Sequence, residues 1–496
     1  MSSTQTKLKT WQNFVNGEWV SAGSGKTTPN INPANADEIL GYSQQSELDD
    51  LEKAVTAARE AYPGWRKTPS PARGKFLSKA AALLEKRKEE LAKALTLEEG
   101  KAFQESLGEV QKSINILEFF AALGRRLNGE SIPSELPKNF IYTKREPLGV
   151  VALITPWNFP VAIPAWKAGA ALIAGNTAVL KPSSLTPWTA SLLMEIFQEA
   201  NLPKGVLNLI TGPGSVLGEA IVKHPHVRAI SFTGSTETGR KLQALAGAHG
   251  KPIQLEMGGK NAVIVLKDAD LDLAASGVVF GAFGSAGQRC TATSRCLVEE
   301  SVLPAFTDKL LEKIRPFIEK MHEGTVGPLV DENQLKKVLH YIDLGKKEGA
   351  SLLVGGKRMT EGALGKGYFV SPTIFTNVAP SMTIAQEEIF GPVLTITAVK
   401  DMDEAIRISN DVEYGLSGSI FTQNINQALD YVDDIEIGVV HVNSPTIGGE
   451  AQAPFGGMKG SGVGGREMGH QSLDFFTEWK TVYIDYTDSN RKGNLY

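Results

Sequence analysis

The chain has 496 residues, about three domains' worth at roughly 150 residues each, of which 42% are hydrophobic and 21% charged. Cores of that size need no disulfide or metal staple, and the composition excludes disorder, coiled coil and collagen as the main state. Fifty-one basic against 55 acidic residues leave a net charge of −4, which gives no electrostatic footprint for nucleic acid or an anionic membrane.

The first twenty residues lack the apolar run of a secretory signal. The first 130 residues read mainly helical. Over 75–99, Leu77, Ala80, Leu84, Leu91 and Leu95 share one helical face, and Gly100 stands where that helix would end. A second helical stretch covers 107–126. From about residue 139 the pattern changes. Candidate strands at 149–155, 177–182, 206–211, 229–234 and 262–266 alternate with helical patterns near 163–174, 187–200, 215–223 and 236–247. That alternation argues a doubly wound parallel sheet, which binds ligands at the carboxyl ends of its strands. The apolar run 148–173 is long enough for a bilayer but carries Pro156, Asn158, Pro160, Pro164 and Lys167, which lipid would leave unsatisfied. It reads as buried core, and the chain as cytoplasmic.

After residue 270 a second α/β block is expected, with helices near 301–320 and 332–348 and strands near 351–354, 393–399 and 438–443. Residues 444–465 are glycine-rich and loop-like. NFIYTKREP (139–147) and KTVYIDY (480–486) alternate like strands outside both blocks. They are expected to pair with each other or with a partner chain.

Cys290 and Cys296 are the only cysteines, too few for a disulfide framework, and they read as free thiols of a reducing compartment. No HExxH and no CxxC occurs, so no metal is expected. Cys290 stands in GSAGQRCTATSR, where small residues leave room around the sulfur and Arg289 and Arg295 make the local sequence electropositive, favouring a thiolate. A buried structural cysteine is the other reading. Cys296, in a strand-like run, reads as inert. Glu256 in QLEMGGKN ends an apolar strand. Held in an apolar site it would have a raised pKa and could act as a general base; exposed, it would be an ordinary surface charge. Asn158 in TPWNFP (155–160) is either a turn residue or an amide donor to an oxyanion. KPSS (181–184), GPGSVLG (212–218) and FTGSTETG (232–239) each follow a strand, and the last two open helices, turning backbone N–H groups toward an anion. The one GxGxxG, at Gly460, Gly462 and Gly465, does not lie between strand and helix and is set aside.

In chain order, TPWNFP, KPSS-x-TP, FTGS-x-x-x-G, LEMGGKN, GQRC, EEIFGPV (387–393) and PFGGMKGSG (454–462) resemble the motif series of the aldehyde dehydrogenase superfamily, over about residues 10–486. GQRCTATSR and WNFPVAIPAWK are most similar to its semialdehyde branch, the 2-oxoglutarate semialdehyde (2,5-dioxovalerate) dehydrogenases. The resemblance implies an α/β fold with a Rossmann-type parallel-sheet cofactor domain over 8–129 and 150–260. An α/β catalytic domain would cover 261–465, and an oligomerisation element 130–149 and 480–496. It implies Cys290 as nucleophile, Glu256 as general base, an oxyanion hole of Asn158 with the Cys290 N–H, and a proton relay of Lys167 and Glu467. Cofactor contacts fall on Thr155, Trp157, Lys181, Ser183, Ser184, Gly214, Gly234, Ser235, Glu388 and Phe390. Among these, Lys181 would reach the adenosine ribose, Gly234 and Ser235 face the pyrophosphate, Glu388 hold the nicotinamide ribose and Phe390 pack on the nicotinamide. Phe159, Trp166, Thr291 and Phe455 would line the substrate tunnel.

Ser184 stands where many NAD-dependent members carry a glutamate that repels a ribose 2′-phosphate, so NADP is the expected preference, with NAD also used. Arg289 beside the nucleophile is either a partner for a substrate carboxylate or a solvent-facing cation, with Arg125 and Arg126 in reserve. The expected reaction oxidises an aldehyde, a carboxylate-bearing semialdehyde, through a Cys290 thiohemiacetal and thioester with hydride passing to NAD(P). Expected partners are the small-molecule aldehyde and further copies of the chain, as homodimer or homotetramer, with no nucleic acid or membrane. Two other readings are a CoA-acylating dehydrogenase, against which Glu256 speaks, and a silent structural or binding member, against which the intact Cys290, Glu256 and Asn158 speak.

Overall fold

The computed structural model describes residues 8–487. Five short strands come first: β1 (Thr10–Trp11), β2 (Asn13–Val15), β3 (Glu18–Val20), β4 (Thr27–Ile31) and β5 (Ile39–Gln44). The expectation that the first 130 residues are mainly helical is met from residue 48 onward and corrected before it. Asn16 (φ 52°) and Gly17 (φ 80°) turn β2 into β3, and an Asn-Gly pair with both φ positive is the tight hairpin connection whose twist suits antiparallel strands. Then come α1 (Leu48–Lys67), α2 (Ser70–Lys86), α3 (Lys88–Glu99) and α4 (Phe103–Leu123). The single helix expected over 75–99 is broken at Arg87, although its five apolar positions do share one core.

Next are β6 (Ser131–Ile132), β7 (Asn139–Pro147), β8 (Val150–Ile154), α5 (Ala162–Ala174), β9 (Thr177–Lys181) and α6 (Pro187–Glu199). They are followed by β10 (Leu207–Leu209), α7 (Gly214–Lys223), β11 (Val227–Thr233), α8 (Thr236–Ala248) and β12 (Ile253–Glu256). The second block holds β13 (Asn261–Val265), α9 (Leu271–Phe283), β14 (Thr293–Glu299), β15 (Ser351–Val354), β16 (Thr373–Thr376), β17 (Val393–Val399), β18 (Tyr414–Gly415), β19 (Ser417–Phe421) and β20 (Val439–Val442). Helices Leu303–Glu319 and Glu332–Lys347 lie between β14 and β15. β21 (Met458–Lys459), β22 (Gly462–Val463) and β23 (Thr477–Asp485) follow.

Two large sheets result. One runs β22-β12-β11-β8-β9-β10-β2-β3, parallel from β12 to β10 and antiparallel at its edges. The other runs β15-β16-β17-β14-β13-β19-β20. The apolar run 262–266, expected with the first block, lies at the heart of the second sheet between β14 and β19. The glycine-rich run 444–465 is not all loop: Gly462 and Val463 pair with Glu256 and Leu255 and close the edge of the first sheet. β7 and β23 pair with each other, antiparallel from Asn139–Asp485 to Pro147–Thr477. Residues 488–496 of the expected oligomerisation element lie outside the described residues.

From β8 the chain winds outward through β9 and β10, then returns to β11 and β12 on the other side. Strand order therefore reverses between β8 and β11, which opens a crevice at their carboxyl ends. Residues 155–158 and 233–235 stand there. Every residue of β8 and α5 is buried, so the apolar run of 148–173 is core. Among the described residues, no helix is long and apolar enough to cross a membrane.

Candidate active site

Cys290 follows α9 on a strained turn. Ser285 (φ 49°), Ala286 (φ 53°) and Gly287 (φ 68°) are left-handed in succession, which costs free energy for the two that carry a Cβ. Outside contacts hold the turn. The Ser285 N–H donates to both Glu105 oxygens at 2.8 and 3.1 Å, and Asn261 Nδ2 donates to the Cys290 carbonyl at 2.8 Å. A Cβ at Gly287 would fall 2.2 Å from the Gly391 carbonyl oxygen, so only glycine fits.

The electropositive setting expected from Arg289 and Arg295 is corrected by these contacts. Arg289 pairs with Glu105 at 2.6 Å, and Arg295 is buried with its guanidinium on the carbonyls of Lys260, Ile408 and Ser409. The half-buried Cys290 thiol is instead pushed up to about 12, chiefly by burial, with the Glu256 and Glu388 carboxylates adding and the Lys112 ammonium opposing. Cys296 is fully buried in β14, and burial raises its thiol further.

Asn158 is buried beside this turn, its Nδ2 donating to the Gln288 carbonyl at 3.0 Å. The loop carrying it rests on a buried ion pair that the sequence reading missed. Lys101 Nζ donates to the Asn158 carbonyl at 2.7 Å, pairs with Glu109, and stands 4.1 Å from the centroid of the Phe159 ring. The other Glu109 oxygen accepts the N–H groups of Val161 and Ala162, at 2.8 and 3.1 Å, where α5 begins. A carboxylate on those unsatisfied donors is favoured by their number and by the helix dipole.

Glu256 ends β12, buried, with the Gly457 N–H beside its carboxyl but no well-formed hydrogen bond to either oxygen. Burial, and then the charge of Glu467, hold its carboxyl well above the ordinary glutamate value. Gly456 (φ 152°) lies against it; a Cβ there would fall 2.3 Å from Glu256 Oε1. Lys167 Nζ pairs with Glu467 and donates to the Ser231 hydroxyl at 2.7 Å, and Ser231 in turn donates to Gln254. One oxygen of Glu467 is left without a partner.

A cavity of about 160 Å³ opens at the crevice, with Trp157, Asn158, Gly234, Ser235, Cys290, Glu388 and Phe390 in its wall and Glu256 outside that wall. Trp157 and Phe390 meet edge-on at 5.4 Å. Glu388 accepts the Gly259 N–H at 3.0 Å, and a Cβ on Gly258 would fall 2.5 Å from Glu388 Oε2. Ser235 caps α8 by accepting from the Thr238 N–H. The buried hydroxyls of Thr155 and Thr233 have no partner. Orphaned hydroxyls beside a capped helix N-terminus at a switch point fit a bound dinucleotide. Lys181 ends β9 with Nζ donating to the Pro182 carbonyl, and burial lowers it to about 8. Ser183 is half-buried, while Ser184 and Gly214 are exposed; all three follow the carboxyl ends of β9 and β10 but lie outside the cavity wall. Gln334, which donates to the Phe390 carbonyl at 2.7 Å, was missed.

The aldehyde dehydrogenase family model matches residues 19–482. The chain belongs to the aldehyde dehydrogenase family. It is 48% identical to an alpha-ketoglutaric semialdehyde dehydrogenase of Bacillus subtilis, over 97% of this chain and 99% of that one. It is 46% identical to a 2,5-dioxopentanoate dehydrogenase of Saccharolobus solfataricus, over 96% and 99%. Among solved structures it superposes on a betaine aldehyde dehydrogenase of Staphylococcus aureus in complex with NAD+ with a TM-score of 0.93 at 36% identity, covering 97% of this chain and 95% of that one.

Trp166 and Phe455, expected to line the substrate tunnel, lie 6.0 Å apart and share a hydrophobic cluster with Phe159 and Cys290. Thr291 is buried, its carbonyl accepting from the Thr446 hydroxyl at 2.7 Å. A second cavity, about 610 Å³, opens between α4 and the 449–452 loop, lined by Gln111, Lys112, Asn115 and Gly449 among others. Lys112 Nζ stands 5.4 Å from the centroid of the Trp166 ring. The cations expected to meet a substrate carboxylate are otherwise placed: Arg289 is held by Glu105, and Arg125 and Arg126 are exposed. The sequence did carry a signal for Lys112. It is the lysine on a helix whose neighbours Glu109, Val110, Ser113, Ile114 and Ile116 are all buried.

Proposed function

We propose that the chain oxidises the semialdehyde of 2-oxoglutarate to the dicarboxylic acid, with a nicotinamide dinucleotide as hydride acceptor. The observation that carries the chemistry is that Cys290 and Asn158 share the wall of one cavity beside the dinucleotide crevice, with the buried Glu256 carboxyl near enough to Cys290 to raise its thiol. The substrate class is supported by the names of relatives 45–48% identical along nearly their whole length.

Glu256, when ionised, takes the Cys290 proton, because no other carboxylate near the sulfur is free of hydrogen bonds. The thiolate attacks the aldehyde carbon. An S–C bond forms and the C=O π pair moves to oxygen, where the Asn158 amide and the Cys290 N–H stabilise it; losing one such donor typically costs about 10²–10³ in rate. Bound cofactor supplies the acceptor for the hydride that leaves this carbon, so a Cys290 thioester remains. Glu256 then takes a proton from water as the water attacks the thioester, and the thiolate leaves. Lys167 and Glu467, buried next to Glu256, pass the proton on.

Ser184 adds no carboxylate against a 2′-phosphate, which supports NADP use beside NAD. The β7–β23 ribbon exposes Phe140, Trp479 and Tyr483, supporting association of copies through it as a dimer or tetramer. A cytoplasmic location, expected from the free thiols, is part of the same reading. The test is reduced-cofactor formation with 2-oxoglutarate semialdehyde, succinate semialdehyde, pentanal and betaine aldehyde, each with NAD and NADP. Highest kcat/KM for the first substrate is expected. A higher value for pentanal or betaine aldehyde would overturn the substrate assignment.

A further inference from the structure

We propose that Lys112 receives the far-end carboxylate of the substrate and so selects acid-bearing semialdehydes over uncharged aldehydes. The proposal rests on the semialdehyde reading above and names the residue behind it. Lys112 rises from α4 into the 610 Å³ cavity, half-buried, its ammonium over the Trp166 ring. Among the described residues, it has no hydrogen-bond acceptor and no ion-pair partner. Holding a partly desolvated cation without a counter-charge costs stability, and an arriving carboxylate would remove that cost.

The other cations nearby are committed. Lys101 is spent on Glu109, Lys167 on Glu467, Arg289 on Glu105 and Arg295 on backbone carbonyls. Glu109, the nearest acid on the same helix, is already taken by Lys101 and the start of α5. Glu118 and Glu450 also line the cavity but are exposed. Gly449 faces the ammonium, and a Cβ there would come into contact with both Nζ, at 3.7 Å, and the Phe455 ring, at 3.8 Å, so the missing side chain keeps the approach to the charge clear. The ammonium and the Cys290 sulfur are near enough for each to shift the other's titration. Trp166 links the two, its ring beneath the Lys112 ammonium and in one hydrophobic cluster with Phe455, Phe159 and Cys290, so a short substrate can place its aldehyde on the sulfur and its carboxylate at Lys112.

The test compares kcat/KM for 2-oxoglutarate semialdehyde and for pentanal, at saturating cofactor, in the wild type and in Lys112→Met, Lys112→Gln, Lys112→Arg and Lys112→Glu. Because Lys112 also acts on the thiol, the quantity read is the ratio between the two substrates. In Lys112→Met and Lys112→Gln that ratio should fall about thirtyfold or more, mainly through KM, as expected when a desolvated charge loses its partner. Lys112→Arg should keep it within about threefold of wild type. Lys112→Glu should favour 5-aminopentanal over pentanal. If Lys112→Met or Lys112→Gln, melting as the wild type does, slows both substrates by one factor, the proposal is overturned while the semialdehyde reading stands. A wild type that prefers pentanal overturns the semialdehyde reading instead.

Discussion

At about 12, the Cys290 thiol keeps its proton at physiological pH, so its reactivity depends on a neighbour that can take it. In the proposed mechanism Glu256 is that neighbour, and its own carboxyl is held above the usual range by burial and by Glu467. The sign of the pH dependence follows. Below the raised value Glu256 is neutral and cannot act as a base, so kcat should fall on the acid side well above pH 4.5. Glu256→Gln should abolish that limb along with turnover. Stability runs the other way. A carboxyl with a folded pKa above its unfolded pKa binds more protons when folded, so stability falls as pH rises between the two. Glu256→Gln should therefore melt higher than the wild type at pH 8, and an equal or lower melting temperature would argue against a strained base. Cys290→Ala should lose at least about 10³-fold in activity, while Cys296→Ala, remote in β14, should keep most of it; comparable losses in both would remove Cys290 from its role.

The turn that bears Asn158 depends on α3, α4 and α5 through Lys101 and Glu109. Glu109→Gln takes from the buried Lys101 the nearer of its two carboxylates, Glu99 remaining at 3.8 Å, and should cost up to about 3–5 kcal/mol of stability in urea unfolding. Lys101→Met together with Glu109→Gln should recover much of that stability but not kcat, because the Asn158 carbonyl stays unheld. Full recovery of kcat in the double variant would show the pair to be structural only. At this scale much was legible in the sequence. The alternation of apolar strands and helical patterns located β8 to β11 and α5 to α8 to within two residues, because buried parallel strands read as continuous apolar runs. The N-terminal strands were missed because two- to six-residue strands hold too few residues to show a period, although Asn16-Gly17 marked one hairpin. Cys290, Glu256 and Asn158 were legible as motif residues. The partners of Arg289 and Lys101 were not, since Glu105 lies 184 residues from Arg289 and no local pattern encodes such contacts.

Across the whole molecule, two sheets meet so that the crevice of the first faces the cysteine turn following α9 of the second, while the β7–β23 ribbon stands apart with aromatic side chains in solvent. Trp479 is 52% and Tyr483 64% exposed, a degree of aromatic exposure typical of a contact surface. Trp479→Glu with Tyr483→Glu should lower the mass measured by light scattering to that of a smaller assembly; an unchanged mass would place the contact elsewhere. Whether Cys290 carries an acyl group that Glu256 releases can be read by intact-protein and peptide mass spectrometry. Glu256→Gln would be mixed with 2-oxoglutarate semialdehyde and NADP and quenched in acid at times from seconds to hours, because loss of the base slows attack by the thiol as well as hydrolysis. One 2-oxoglutaryl group per chain should build up slowly and persist, on the peptide containing Cys290, with reduced cofactor formed in matching amount. Turnover at the wild-type rate with no acylated Cys290 would contradict it.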